Sequence, residues 1–125
     1  MDNKTTIEEN MKQVAQEFKD NQKAFIAMGD ETRLQIICAI LQSSCDGIRV
    51  GEITKKTYIS RPAVSHHLQI LKEAGIVCMR KEGTKNFYYI NSDEHQWRQM
   101  HDFAEHIYSL ATRSSEYPRH LEDAE

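Results

Sequence analysis

Between Ser60 and Asn91 the chain reads SRPAVSHHLQILKEAGIVCMRKEGTKNFYYIN, and the hydrophobic period changes from helical to alternating partway through. Ser60 is placed to cap a helix by accepting a backbone N–H from the first turn, where Pro62 sits without losing a needed donor. Val64, Leu68 and Leu71 recur at i, i+4 and i+7 as a buried stripe, which leaves Arg61, Ser65, His66, Gln69 and Lys72 facing outward. Gly75 is the expected C-terminal stop. Ile76 to Arg80 then alternate as a strand, Lys81-Glu82-Gly83-Thr84 supply a turn, and Asn86 to Asn91 form the return strand. A capped helix followed directly by a charged hairpin has the order of a winged helix-turn-helix. The fold class expected is therefore α+β, mainly helical, with a two-stranded β-hairpin wing.

The flanking segments fill in the rest of such a fold. Ile7, Met11, Val14 and Phe18 mark an amphipathic helix from Thr6 to about Asp20, and a second helical piece runs over Gln22–Met28. Gly29-Asp30 interrupts, with Asp30 as the next N-cap, and Leu34, Ile37, Ile40 and Leu41 make the following helix apolar up to the loop formers Ser43 to Gly47. Val50 to about Thr57, with Ile53 inward, supplies the first helix of the helix-turn-helix pair. Ser92 is expected to cap a last long helix carrying Asp93 and Glu94 in its first turn, where the helix dipole favours anions. Trp97, Met100, Ala104, Ile107 and Ala111, widened by Phe103 and Leu110, form a stripe too broad to stay uncovered. A stripe of that width needs a partner. Residues 1–113 are read as one domain, and the polar SSEYPRHLEDAE of residues 114–125 as a flexible tail.

A chain of 125 residues with 39% apolar content can build only a modest core, which again favours an oligomer. No run is long enough to span a membrane, and the N-terminus lacks the basic start and apolar stretch of a signal peptide, so a cytoplasmic protein is expected. Cys38, Cys45 and Cys78 form no CxxC and, being odd in number, no disulfide framework. Cys38 and Cys78 are read as small buried hydrophobes, and Cys45 as an accessible loop thiol. The net charge of −3 conceals an asymmetry. Residues 1–48 carry five basic and eight acidic side chains, residues 49–91 eight and three, and residues 92–125 three and eight. Phosphate neutralisation dominates affinity for DNA, so a basic middle between acidic ends points to the central element as the one that meets DNA. A winged helix that binds protein instead would leave that charge without a purpose. There is no glycine-rich phosphate loop, no HExxH and no nucleophile spaced to a base, so an enzyme is not expected.

The blocks GDETRLQII, VGEI, SRPAVSHHLQILKEAGIV and GTKNFYYI resemble the ArsR/SmtB-type winged-helix repressors, in order and over most of the chain, from about Ala24 to about Leu110. The resemblance implies a homodimer, dimerising through the N- and C-terminal helices, that binds double-stranded DNA at a palindromic operator and represses transcription until an effector releases it. Carried onto this sequence, the family's DNA contacts fall on Arg61, Pro62, Ala63, Ser65, His66 and His67 of the recognition helix. In the wing they fall on Arg80, Lys81, Thr84 and Lys85. Gln69 is added from its outward position. His67 adjoins the buried row, so a structural role for it stands beside a DNA contact.

The resemblance also offers effector sites to check. A cysteine pair known in the family falls on Arg49 and Gly51 here, so that soft-metal site is absent. A last-helix zinc site falls on Asp93, His95 and His106, with Ser109, a poor zinc ligand, in the fourth place. His101 and Glu105 stand nearby, displaced around the helix. The alternative is that Asp93 caps the helix and the histidines lie on its polar face. No cofactor is required by this reading, and Zn²⁺ is the one considered.

Overall fold

In the computed structural model residues 3–113 are described; the tail reading for 114–125 lies outside them. The elements run α1 (Asn3–Asp20), α2 (Gln22–Met28), α3 (Glu31–Leu41), α4 (Val50–Thr57), α5 (Arg61–Glu73), β1 (Val77–Glu82), β2 (Lys85–Ile90) and α6 (Glu94–Arg113). The mainly helical α+β winged helix read from the sequence is the fold observed. The described residues divide into two compact units, Gln22–Asp93 and the pair of terminal helices α1 and α6.

The central unit is built around Ile36, Ile48, Ile53, Val64, Leu68, Leu71, Ile76 and Val77, all fully buried. Each such side chain contributes about 1.5–3 kcal/mol of transfer free energy. Asp30 caps α3, its carboxylate accepting from the Arg33 N–H at 3.0 Å. The inward face of α3 is Ile36, Ala39 and Ile40, whereas Leu34 and Leu41 are exposed, a correction to the face expected for this helix. Cys38 lies on the same outer side and is exposed, and Cys78 is half-buried, so neither is the buried hydrophobe expected of it. Cys45 is exposed as expected.

Two features set the position of the wing. At the end of α5 the N–H of Ile76 donates to Leu71 O at 2.9 Å and that of Gly75 to Lys72 O at 3.1 Å, with Gly75 at φ +80°. This Schellman closure turns the chain into β1 and buries Ile76 against the helix it leaves. The hairpin register pairs Glu82 with Lys85, so the turn is the two residues Gly83-Thr84, shorter than the four expected. Of the two, Gly83 alone has positive φ, +61°, a conformation that glycine adopts without steric penalty. Ile48 then bridges to Tyr88 by reciprocal backbone hydrogen bonds of 2.9 and 2.8 Å, tying the wing to the residues that precede α4.

In the terminal unit α1 packs along α6. Phe18 meets Phe103 edge-on with centroids 4.4 Å apart, and Glu17 meets His106, so the helices run antiparallel. Ile7 and Val14 are buried, but Met11 and Phe18 remain about half exposed at 54% and 50%. No described residue of α6 is fully buried despite its apolar stripe. This helix begins at Glu94, so Asp93 rather than Ser92 occupies the flanking position. No helix among the described residues is long and apolar enough to cross a membrane.

Candidate nucleic-acid interface

The recognition helix α5 starts where Ser60, in extended conformation, accepts the Ala63 N–H at 3.3 Å, with Pro62 in the first turn. The buried stripe Val64, Leu68 and Leu71 fixes the helix's rotation. Arg61, Pro62, Ser65, His66 and Gln69 therefore face solvent, while Ala63 and His67 are half-buried. Gln69 donates to Glu73 at 2.9 Å, one turn along the same exposed face. The preceding turn is tight: Tyr58, at φ +61°, donates its N–H to Thr54 O at 2.8 Å and ends α4.

His67 is turned inward. Its Nδ1 lies 3.3 Å from Nη1 of Arg33 on α3. The same guanidinium caps the C-terminus of α2, donating from Nε to Ala27 O at 2.6 Å and from Nη2 to Ile26 O at 3.4 Å. Arg33 thus joins α2, α3 and α5 under the recognition helix, a role that its place in GDETR does not disclose. The Arg33 backbone N–H, and then the positive charge of its side chain, hold the Asp30 carboxyl below its usual range.

In the wing, Lys81, Thr84 and Lys85 are exposed at the tip. Arg80 is engaged within the hairpin, its Nε 2.8 Å from Glu82 and its guanidinium over the Phe87 ring at 5.1 Å, across the strand pair. Asn91 locks the base of the hairpin, donating to Gly75 O at 2.7 Å and accepting from the Asp93 N–H at 3.0 Å. Between the wing, the start of α4 and the start of α5 lies an open recess of about 430 Å³ edged by Arg49, Lys55, Arg61, Thr84 and Asn86. The sequence does not mark Arg49, Lys55 or Asn86 as DNA contacts. What could have marked the first two is the charge of the VGEITKK stretch, positive on both flanks.

On α6, His106 Nδ1 is 2.7 Å from Glu17 Oε2, and Ser109 lines a small cavity of about 110 Å³ beside it with Asn10, Val14 and Leu110. The other carboxylate oxygen of Glu17 is buried and has no hydrogen-bond partner among the described residues. Asp93, His95 and His106 do not gather into one cluster within the chain. The cluster of metal-ligating types found among the described residues is His101, Asp102 and Glu105, with ligand atoms within 4.8 Å of one another.

The helix, hairpin and recess together present hydrogen-bond donors on a convex helical face and cations at its margins. Such a surface can place polar side chains against base edges and charges against phosphates. Known proteins resemble this chain over the same region. Residues 30–78 match the family model described as bacterial regulatory protein, arsR family. The uncharacterized HTH-type transcriptional regulator MJ1325 of Methanocaldococcus jannaschii is 49% identical over 71 residues, 55% of this chain and 75% of that one. The transcriptional repressor SdpR of Bacillus subtilis is 32% identical over 68 residues, 54% of this chain and 72% of its own. The solved structure of reduced HlyU from Vibrio cholerae superposes with a TM-score of 0.52 at 35% identity, covering 66% of this chain and 86% of that chain. With that fold, that surface and these relatives, the chain belongs to the ArsR family of winged-helix regulators of transcription, which are DNA-binding proteins and not enzymes.

Proposed function

We propose that the chain is a homodimeric, sequence-specific repressor of the cytoplasm that reads a palindromic operator through α5 and is released by an effector. The observation that carries the reading is the face of α5: Ser65, His66 and Gln69 are exposed on a helix whose opposite side is locked into the core. Exposed polar side chains along a rigid helix are suited to the major groove. The homodimer is supported by the uncovered stripes of α1 and α6, which a second copy would bury. Two recognition helices would then address half-sites roughly 34 Å apart, and an effector would act by favouring a dimer in which that spacing is wrong.

Selection of duplexes from a random pool by the full-length chain tests this reading, with the mass of the complex measured by sedimentation. A two-fold symmetric consensus bound by two chains is expected. Ser65→Ala with His66→Ala should flatten discrimination by about 1–3 kcal/mol at the bases each one contacts. Recovery of no consensus, or salt-insensitive binding to a protein instead, overturns it.

A Zn²⁺-responsive repressor is the second reading, favoured by the Glu17–His106 pair. A carboxylate that holds one imidazole nitrogen orients the other toward a metal, and His106 with Asp93 and His95 would be the ligands. Ser109 weakens the set, since its hydroxyl is a poor ligand. Elemental analysis of the purified chain and of His106→Ala, with duplex titration at and without added Zn²⁺, decides it. No retained zinc and no change in affinity remove the metal.

A further inference from the structure

The recess between α4, α5 and the wing is rimmed by charges that are mostly cationic. Its rim carries Arg49, Lys55 and Arg61, with the single carboxylate of Glu52 among them. That carboxylate is turned to the chain itself, Oε1 accepting the Arg49 N–H at 3.4 Å. Arg61 makes no ion pair among the described residues, in contrast to Arg80, which is held by Glu82. Its guanidinium does not extend from α5. It leans back over α4, where a Cβ built on Gly51 would stand only 3.1 Å from Nη2. The missing side chain of Gly51 is the space that the guanidinium occupies.

We propose that this recess binds a phosphodiester of the DNA backbone and that Arg61 is a phosphate ligand rather than a reader of bases, an inference that rests on the DNA-binding reading above. A guanidinium pairs with guanine only if it projects into the groove, whereas one folded over the first turn of α4 presents its donors along the rim. Thr84 and Asn86 from the wing add neutral donors to the same rim, and hydroxyl and amide donors are usual partners of phosphate oxygens. Clustered cations facing solvent repel one another unless an anion joins them. The recess is continuous with the exposed start of α5 and with the wing tip, so a strand that follows α5 passes over it. A free phosphate has the same chemistry, and the experiment separates the two sources.

Affinity of the full-length chain for a 30-base-pair duplex recovered from the random pool is measured from low to high chloride, for wild type, Arg61→Gln, Arg61→Lys and Gly51→Leu. Leucine is a better helix former than glycine, so Gly51→Leu fills the recess without weakening α4, and a thermal melt checks this. Arg61→Gln and Gly51→Leu should each reduce the log–log salt slope of the dimer by about 1.8, two recesses at about 0.9 for each phosphate. The ranking of duplexes carrying single base changes should be unchanged in both. Arg61→Lys should keep the slope, since a point charge suffices for phosphate. If Arg61→Gln instead keeps the slope and loses discrimination at one base pair, Arg61 is a base reader and the proposal fails. Retention of inorganic phosphate by the DNA-free chain, lost in Arg61→Gln while the salt slope of every variant is unchanged, assigns the recess to a free phosphate and equally overturns it. Absence of duplex binding by wild type is the separate failure of the regulator reading.

Discussion

Nη1 of Arg33 lies 3.3 Å from Nδ1 of His67, and because a guanidinium can only donate, the imidazole is the acceptor in that hydrogen bond. The ring is thereby tied to α3 at the moment its neighbour His66 is left exposed on α5. His67→Ala is expected to cost about 1 kcal/mol of stability in a urea melt, the ordinary worth of one hydrogen bond, and to leave duplex selection little changed. His66→Ala should stay within about 0.5 kcal/mol of wild type in the same melt. Arg33→Lys should destabilise more than His67→Ala, because one ammonium cannot serve the carbonyls of Ala27 and Ile26 and the imidazole together.

Gly47 sits at φ +108°, and a Cβ there would lie 3.1 Å from Phe87 Cβ and 3.2 Å from Tyr88 O. Gly47→Ala therefore combines backbone strain with a contact that only movement of the wing relieves. A loss of about 2 kcal/mol is expected from chemical denaturation. Faster amide exchange at Tyr88, whose N–H bonds to Ile48 O, would locate the damage; unchanged exchange there would refute this explanation.

Tyr58 is the one non-glycine residue at positive φ among those described, and its side chain is 94% exposed. Nothing buried holds the ring. Tyr58→Gly removes the steric penalty of the left-handed conformation, about 1–2 kcal/mol, and adds the chain entropy of glycine, about 0.5–1 kcal/mol. A small net gain in melting temperature is the expected result.

The lowered pKa of Asp30 makes stability depend on acid in a definite direction. A carboxyl depressed in the folded chain contributes fully above its ordinary value of 3.8, and that contribution is lost as the pH falls through the lower folded value. Asp30→Asn keeps a capping oxygen but cannot titrate. Its melting temperature should fall less than that of wild type between pH 5 and about 2, and parallel curves for the two proteins would show that Asp30 is not responsible.

What was legible in the sequence was what depends on near neighbours. The Ser60 cap, the Val64, Leu68 and Leu71 stripe and the Gly75 stop are each set within a turn or two, and α5 has the limits they imply. The outer face of α3 was misjudged because Leu34 and Leu41 are as apolar as Ile36 and Ile40, and hydrophobicity alone does not say which of two rows is covered. Arg33 escaped notice because its partners are backbone carbonyls of the preceding helix, which no side-chain pattern encodes. The Ile48 bridge has no period at all, being a single residue. Arg61 was legible as an exposed cation near the start of a helix, but the direction of its guanidinium depends on a missing side chain ten residues earlier, at Gly51.

The pairing of Ile48 with Tyr88 has a mechanical consequence. A hairpin joined only at its base pivots freely, and each encounter with DNA must then halt that swing at an entropic penalty. Here a second point of attachment converts the hinge into a brace, so the wing tip and the recognition helix keep a fixed spacing, like the two jaws of a locked calliper.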